Sequence, residues 1–232
     1  DDEEITFCGA DITAVKEAKE YIEKVPEKQP FMTSSCCPAF VKLVKTQIPE
    51  AADKISETDS PMVSTGRWVK EKYPNAITVF IGPCIAKKSE GREHSDIIDY
   101  VLTFEEAMCM LAGKDIKFAD QPTNEFEREA SKLGLGFPLT AGVTAAVDDT
   151  VRAMGGEVRS SYYASGLDNC RQAVTDANAG KLDCSYLEGM ACSNGCLDGP
   201  GTVGDFRITK VALNKYAATA PNQQTVDDNH TK

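Results

Sequence analysis

Three short loops gather most of the reactive side chains of this 232-residue chain. Thr33-Ser34-Ser35-Cys36-Cys37-Pro38 is the first, Gly82-Pro83-Cys84-Ile85-Ala86-Lys87-Lys88 the second, and the run from Glu188 through Cys192 to Cys196 the third. Soft thiolates converging from several loops favour zinc or an iron–sulfur cluster. No CxxC knuckle is present, and the pair Cys192 and Cys196 has three residues between its members. Met190, Ala191, Pro38 and Pro83 make the surroundings apolar, which suits a redox cluster better than a structural zinc. Iron–sulfur is therefore favoured, with zinc the alternative. Ordinary buried thiols are the third reading. It fits Cys8, Cys109, Cys170 and Cys184, which stand singly in helical or strand patterns, and fits the three Gly/Pro-flanked loops poorly.

The elements that must position these loops alternate short apolar strands with amphipathic helices. Glu4 to Phe7 reads as a strand. A helix then starts at Asp11 or Thr13, either of which can cap it, and runs to Val25, with Val15, Ala18, Tyr21, Ile22 and Val25 on one face. Pro26 stops it. A second helix follows Pro38, carrying Phe40, Val41, Val44 and Ile48 inward, and Ser60-Pro61 opens a third with Trp68 on its buried side. Ala76 to Gly82 is the clearest strand, almost uncharged and β-branched, and so central in a parallel sheet. Strands at 97–102, 158–163 and 184–187 and helices at 104–112, 140–154 and 168–179 continue the alternation, with a polar surface excursion at 121–135. An α/β architecture with parallel strands follows, its active site beyond the strand ends.

A length of 232 residues allows one α/β domain or two lobes sharing a cleft, and 41% hydrophobic residues provide a packed core. No apolar run approaches the roughly 20 residues of a membrane helix. The net charge of −11 argues against nucleic acid. Nine cysteines, an odd number, without an export signal indicate metal or redox chemistry in a cytoplasmic protein rather than disulfides. The start Asp1-Asp2-Glu3-Glu4 lacks an initiator Met, which is what a fragment would show.

At the cysteine loops the sequence resembles a known family. SSCCPAF (34–40), GPCIAKKSE (82–90) and LEGMACSNGC (187–196) are similar, in order and spacing, to the signature loops of iron-only (FeFe) hydrogenases, approximately TSCCPGW, MPCTAKKFE and EVMACPGGC. CGADITAVKEAKEYIEKV (8–25) resembles the family's helix before the first loop, and SGLDN (165–169) a downstream turn, so the likeness spans roughly residues 5–200. It implies the large-subunit fold, α/β with parallel sheets flanked by helices in two lobes. Residues 1–216 would be the C-terminal portion of the catalytic domain and 217–232 a polar tail.

The resemblance also implies an H-cluster, a 4Fe-4S cubane joined to a di-iron unit that carries CO, cyanide and a bridging dithiolate amine. By motif, Cys37, Cys84, Cys192 and Cys196 would ligate the cubane and Cys196 would bridge to the di-iron unit. Cys36 would pass protons to the amine, since an unperturbed thiol titrates within a few units of neutrality. Glu17, Glu20 and Ser56 fall where the family keeps a proton relay, with Lys24 in the place of an outer Arg. Glu17, Glu20 and Lys24 are equally readable as an exposed helix face with Glu20–Lys24 i,i+4 support. Lys87 would hydrogen-bond a cyanide, Glu90 would orient neighbouring groups, and Met190 would wall the di-iron unit.

The chain departs from the pattern at Gly82, where Met is common, which opens one wall of the pocket; Ala39-Phe40 and the LDGPG run at 197–201 differ too, as in a divergent branch. The family's ferredoxin-like cysteine repeats and first lobe segment are not in this sequence. The implied activity is reversible oxidation of H2 and reduction of protons, with electrons exchanged with ferredoxin or a partner subunit and maturation proteins supplying the di-iron unit. The isolated chain is expected to be inactive. A non-catalytic cluster-assembly relative, which lacks the CC pair, and a hydrogen sensor are the alternatives.

Overall fold

The computed structural model describes residues 9–117, 120–121 and 130–220; the strand expected at 4–7 and Cys8 lie outside the described residues. The first helix, α1 (Gly9–Lys24), begins before the expected caps. Asp11 is buried in its first turn and accepts from the Ser131 amide (2.9 Å) and hydroxyl (2.5 Å), and the Thr13 hydroxyl donates to the Asp59 carbonyl (3.0 Å). Ala10, Ala14, Ala18, Tyr21 and Val25 form the buried stripe. Of the expected face, Val15, Ala18, Tyr21 and Val25 are buried; the buried surface also takes in Glu17, and Ile22 lies in solvent at 43% exposure.

A short strand, β1 (Met32–Thr33), leads through the first loop into α2 (Pro38–Gln47), followed by a 3-10 turn at Pro49–Lys54 and by α3 (Pro61–Lys72). Ser60 caps α3, with Pro61 in its first turn. Trp68 is half-buried rather than in the core, with Lys72 Nζ 5.3 Å from its ring centre. The next strand, β2 (Val79–Gly82), enters the second loop and α4 (Lys87–Glu93). It pairs in parallel with β3 (Tyr100–Thr103), from Val79 opposite Tyr100 to Gly82 opposite Thr103. This sheet has two strands and exposes Val79 and Ile81, so β2 is not the central strand expected.

A capping box of Thr103 and Glu106 opens α5 (Phe104–Gly113). The expected excursion instead contains α6 (Lys132–Gly136) at its end, with Ala130 and Ser131 buried. Then come α7 (Gly142–Ala153), β4 (Ser161–Ser165), α8 (Leu167–Asn178), β5 (Tyr186–Met190) and β6 (Ser193–Cys196). The last helix, α9 (Phe206–Ala217), capped by Asp205, has no counterpart among the elements expected from the sequence.

The main sheet has the order β1-β5-β4, all parallel. Its central strand β5 is buried throughout, because helices cover both faces. Tyr186 and Met190 point into a cluster with Ala14, Tyr21, Val143 and Val147 of α1 and α7. Leu187 points the other way, into Phe40, Val44 and Val174 of α2 and α8. The three cysteine loops follow β1, β2 and β5, so each lies at the C-terminal end of a parallel strand.

Candidate metal centre

The four cysteines at issue come from three strand ends. Cys37 occupies the N-cap of α2, an end where a helix favours negative charge. Cys84 follows β2, Cys192 follows β5, and Cys196 is the last residue of β6. Cys196 is held by its amide donating to the Pro138 carbonyl (2.9 Å). Its neighbour Gly195 has φ +70°, and a Cβ there would lie 2.6 Å from the Pro138 oxygen, so only glycine fits this turn.

The thiols act on one another. Burial pushes Cys196 up to about 12, and Cys37, Cys84 and Cys192 all add to the shift. Burial also pushes Cys192 to about 11, with Cys37 and Cys84 adding to it. Cys37 is raised by burial against backbone N–H groups of Ala191 and Phe40 that favour its thiolate. Among the described residues, no group of three or more His, Cys, Asp or Glu side chains could hold a single metal ion. A cubane is a larger guest than one ion and takes each thiolate on a separate iron, so four mutually interacting thiols on three loops fit it. Loading requires each of them to give up its proton.

A cavity of about 630 Å³ opens beside them, lined by Cys36, Cys37, Cys84, Lys87, Met190 and Cys196. Its walls are apolar: Met62, Phe80, Phe137 and, from α9, Leu213 and Tyr216. The wall expected to be open at Gly82 is occupied by another residue. A Cβ at 82 would lie 2.7 Å from the Phe80 ring, which fills the space and faces the cavity.

Lys87 is nearly buried. Its Nζ donates to Glu90 Oε2 (2.6 Å), Ser60 Oγ (2.9 Å) and the Cys36 carbonyl (3.3 Å). Glu90 thus holds the ammonium at the cavity wall beside the first loop. Met190 is 3% exposed and lines the same cavity.

On the other side of Cys36 lie the acidic residues. Glu17 is fully buried, which removes the exposed-face reading for it, and neither carboxylate oxygen has a hydrogen bond. Burial first, and then the charge of Glu20, push its carboxyl to about 8, against the Ser35 backbone and the Tyr186 hydroxyl. Burial drives the Cys36 thiol well above its ordinary value, and Glu17, Cys37 and Glu188 push it further. Both groups are therefore protonated at neutral pH.

Glu20 is different. Ser56 Oγ donates to its Oε2 (2.5 Å), Lys24 Nζ to its Oε1 (2.8 Å), and the Thr58 hydroxyl (3.1 Å) and Glu57 amide (2.9 Å) complete the set. Burial pushes Glu20 up, but the bonds from Lys24, Ser56 and Glu57 together outweigh it and hold the carboxyl below its ordinary value. Lys24 also reaches Glu57 (2.9 Å). The Glu20–Lys24 i,i+4 pair and Ser56 are thus one hydrogen-bonded cluster, which does not include Glu17.

The sequence reading missed Ser60, Thr58, Phe80, Tyr186 and Glu188. Glu188 had a signal, a lone acid inside an apolar strand run. It is fully buried, and its two oxygens accept from the amides of Ala141 (2.8 Å) and Thr144 (2.7 Å) at the start of α7. Of the single cysteines, Cys170 and Cys184 are buried as expected, while Cys109 is exposed because α5 buries none of its residues.

Among the described residues, no helix is long and apolar enough to cross a membrane. The family model for the iron only hydrogenase large subunit, C-terminal domain, matches residues 4–200. The chain is 28% identical over 258 residues to iron hydrogenase 1 of Clostridium pasteurianum, covering 91% of this chain and 45% of that protein. It is 30% identical over 243 residues to the periplasmic [Fe] hydrogenase large subunit of Nitratidesulfovibrio vulgaris, covering 84% of this chain and 58% of the relative. A shorter likeness, 31% over 112 residues, joins 47% of the chain to 23% of the cytosolic Fe-S cluster assembly factor NAR1 of Kluyveromyces lactis. The chain thus spans about half the length of the hydrogenases it matches. In solved structures, a variant of the [FeFe]-hydrogenase HydA1 of Chlamydomonas reinhardtii superposes with a TM-score of 0.70 at 20% identity, covering 91% of this chain and 72% of that one. A HydA structure described as showing stepwise H-cluster assembly superposes with a TM-score of 0.68 at 19% identity, covering 97% and 76%. At such identities the superpositions speak for the fold. With its cysteine loops at three parallel strand ends and the family match over 4–200, this chain belongs to the family of C-terminal domains of iron-only hydrogenase large subunits.

Proposed function

We propose that this chain is the cluster-bearing portion of a hydrogenase that interconverts H2 with protons and electrons. The observation that carries the reading is the set of thiols from three strand ends around one apolar cavity, with Cys36 between that cavity and the buried Glu17. Cys37, Cys84, Cys192 and Cys196 would hold the 4Fe-4S cubane, and Cys196 would also serve the di-iron unit. When bound, this centre supplies the redox chemistry of dihydrogen. Lys87, fixed by Glu90 and Ser60, would present a cationic donor to an anionic ligand of the di-iron unit, and Met190 would help to keep water off it.

The protein's own part is proton transfer. Cys36 and Glu17 are held protonated by burial, so Cys36 can donate toward the cavity and be resupplied by Glu17. Glu20, ionised and bonded to Ser56, is the acceptor at the outer end, with Lys24 beside it. Electrons are exchanged with ferredoxin or an electron-transfer subunit, maturation proteins supply the di-iron unit, and the setting is cytoplasmic. The isolated chain is inactive in this reading, because it matches only 45% and 44% of the lengths of two hydrogenase relatives.

Infrared spectroscopy of the matured full-length protein tests the proposal: bands of CO and cyanide are expected. A cubane EPR signal without those bands would overturn it in favour of a non-catalytic cluster protein, the reading suggested by the partial likeness to the assembly factor. Cys36→Ala should keep the infrared bands and lose H2 turnover by at least about a hundredfold, the usual scale of a removed proton-transfer group. Turnover at the wild-type rate would remove Cys36 from its role.

A further inference from the structure

Buried polar atoms without partners are uncommon in folded proteins and call for a reason. Three of them lie on the two elements flanking the first cysteine loop. Both oxygens of Glu17 on α1 are buried and make no hydrogen bond, and the hydroxyl of Tyr186 on β5 is in the same condition. Both residues are fully enclosed. The Tyr186 ring packs edge-on against Tyr21 of α1, with ring centres 6.1 Å apart and planes at 79°, which sets the hydroxyl on the α1 side of the sheet.

The neighbouring polar groups are already engaged. The Tyr21 hydroxyl donates to Ser185 Oγ (2.8 Å), and Ser35 Oγ donates to the Thr58 carbonyl (2.5 Å). The Glu188 oxygens receive the Ala141 and Thr144 amides. A phenol O–H is a donor and a carboxylate is an acceptor, so the two orphaned groups complement each other.

We infer that Tyr186 is a positioning residue for Glu17: its hydroxyl is the donor that receives the Glu17 carboxylate whenever that group gives up its proton. The inference rests on the proposed relay role of Glu17 and adds to it the group that makes its ionised form attainable. A bare carboxylate in this apolar enclosure is costly, and one good donor offsets much of that cost. The carboxylates nearby oppose the anion, Glu20 on the same helix and Glu188 on β5, while the Cys36 thiol of the first loop is itself held neutral by burial. The Ser35 backbone favours the anion, and Tyr186 is the side chain that does so. Without that hydroxyl Glu17 would hold its proton too tightly to pass it on.

The test is an infrared titration of the full chain, which needs no bound cluster. The carbonyl stretch of the protonated Glu17 carboxyl is identified by its loss in Glu17→Gln and followed with pH. In the wild type the band should fade with a midpoint of about 8. In Tyr186→Phe it should move to higher frequency, and the proton affinity should rise about tenfold or more. Tyr21→Phe, which removes the other hydroxyl, should leave the band in place. If Tyr186→Phe does not fold, 3-fluorotyrosine at 186 keeps the packing, strengthens the donor and should lower the midpoint. An unchanged band and midpoint in the folded phenylalanine or fluorotyrosine protein would overturn the inference. Undiminished H2 turnover of Glu17→Gln in the matured full-length protein would instead sink the relay reading and leave the Tyr186–Glu17 pairing standing.

Discussion

At the scale of single residues, two glutamates one helical turn apart are held in opposite states. Glu20 gathers donors from Ser56, Thr58, Lys24 and the Glu57 amide and is an anion. Glu17 has none and stays neutral. Burial raises Glu17 from the ordinary 4.5 to about 8, so between these values the folded protein carries a proton that the unfolded chain has lost. Folding stability contributed by this group is therefore complete below about pH 4.5 and falls as pH rises toward 8. Glu17→Gln should abolish that decline. Urea denaturation at pH 5.5 and pH 8 checks it: the wild type should lose stability between the two, beyond what the Gln variant loses. Equal slopes in the two proteins would mean that Glu17 is ionised in the fold.

At the scale of elements, the proposed metal centre depends on turns as much as on the four cysteines. Gly195 sits at φ +70° against the Pro138 carbonyl, between the two cysteines of the third loop. Gly195→Ala should destabilise the protein by about 1–3 kcal/mol through backbone strain and contact. Because the strain falls on the Cys192–Cys196 turn, iron bound per chain after reconstitution should fall as well; iron content at the wild-type level would show that the turn is pliable. The start of α7 is secured in a different way. There Glu188 of β5 takes two amides, tying the helix to the strand that carries the third loop. Ala141, just before α7, has φ +65°. The terminal helix α9 contributes Leu213 and Tyr216 to the cavity wall although most of its surface is exposed.

At the scale of the whole molecule, the two sheets are unequal. The three-stranded sheet has a fully buried central strand and packs against helices that hold Val147 and Leu187 out of water, while its edge strand β4 leaves Tyr162 and Tyr163 exposed. The two-stranded sheet leaves Val79, Ile81 and Tyr100 about half exposed or more. Val147→Ala should therefore cost about 2 kcal/mol, from roughly 0.8 kcal/mol per buried methylene plus a cavity contribution. Ile81→Ala in this chain should cost less than about 1 kcal/mol, since half its surface already faces water. Paired denaturation curves decide the point; equal losses would mean that the second sheet is packed as tightly as the first.

What the sequence determined by itself is the part governed by local chemistry. Cysteines set between an apolar run and a helix start read as lying beyond strand ends, and Cys37 and Cys84 do, while Cys192 follows β5 and Cys196 ends the short strand β6. The Ser60-Pro61 helix start and the helices after Pro38 and Phe104 were legible for the same reason, since caps and first-turn prolines act within a few residues. Tertiary structure decided the rest. Glu17 reads as an exposed i,i+4 face or as a relay group with equal ease. It is buried because α7 and β5 receive the alanine stripe of α1, and no local pattern specifies that partner. The run from 76 to 82 reads as a central strand, yet a strand's place in a sheet is set by long-range pairing, and β2 pairs with β3 alone. Gly82 looks like an opened wall until Phe80, two residues back, folds over it. The cysteine loops are thus a local property of the chain, whereas the proton states of Cys36 and Glu17 exist only once distant elements enclose them.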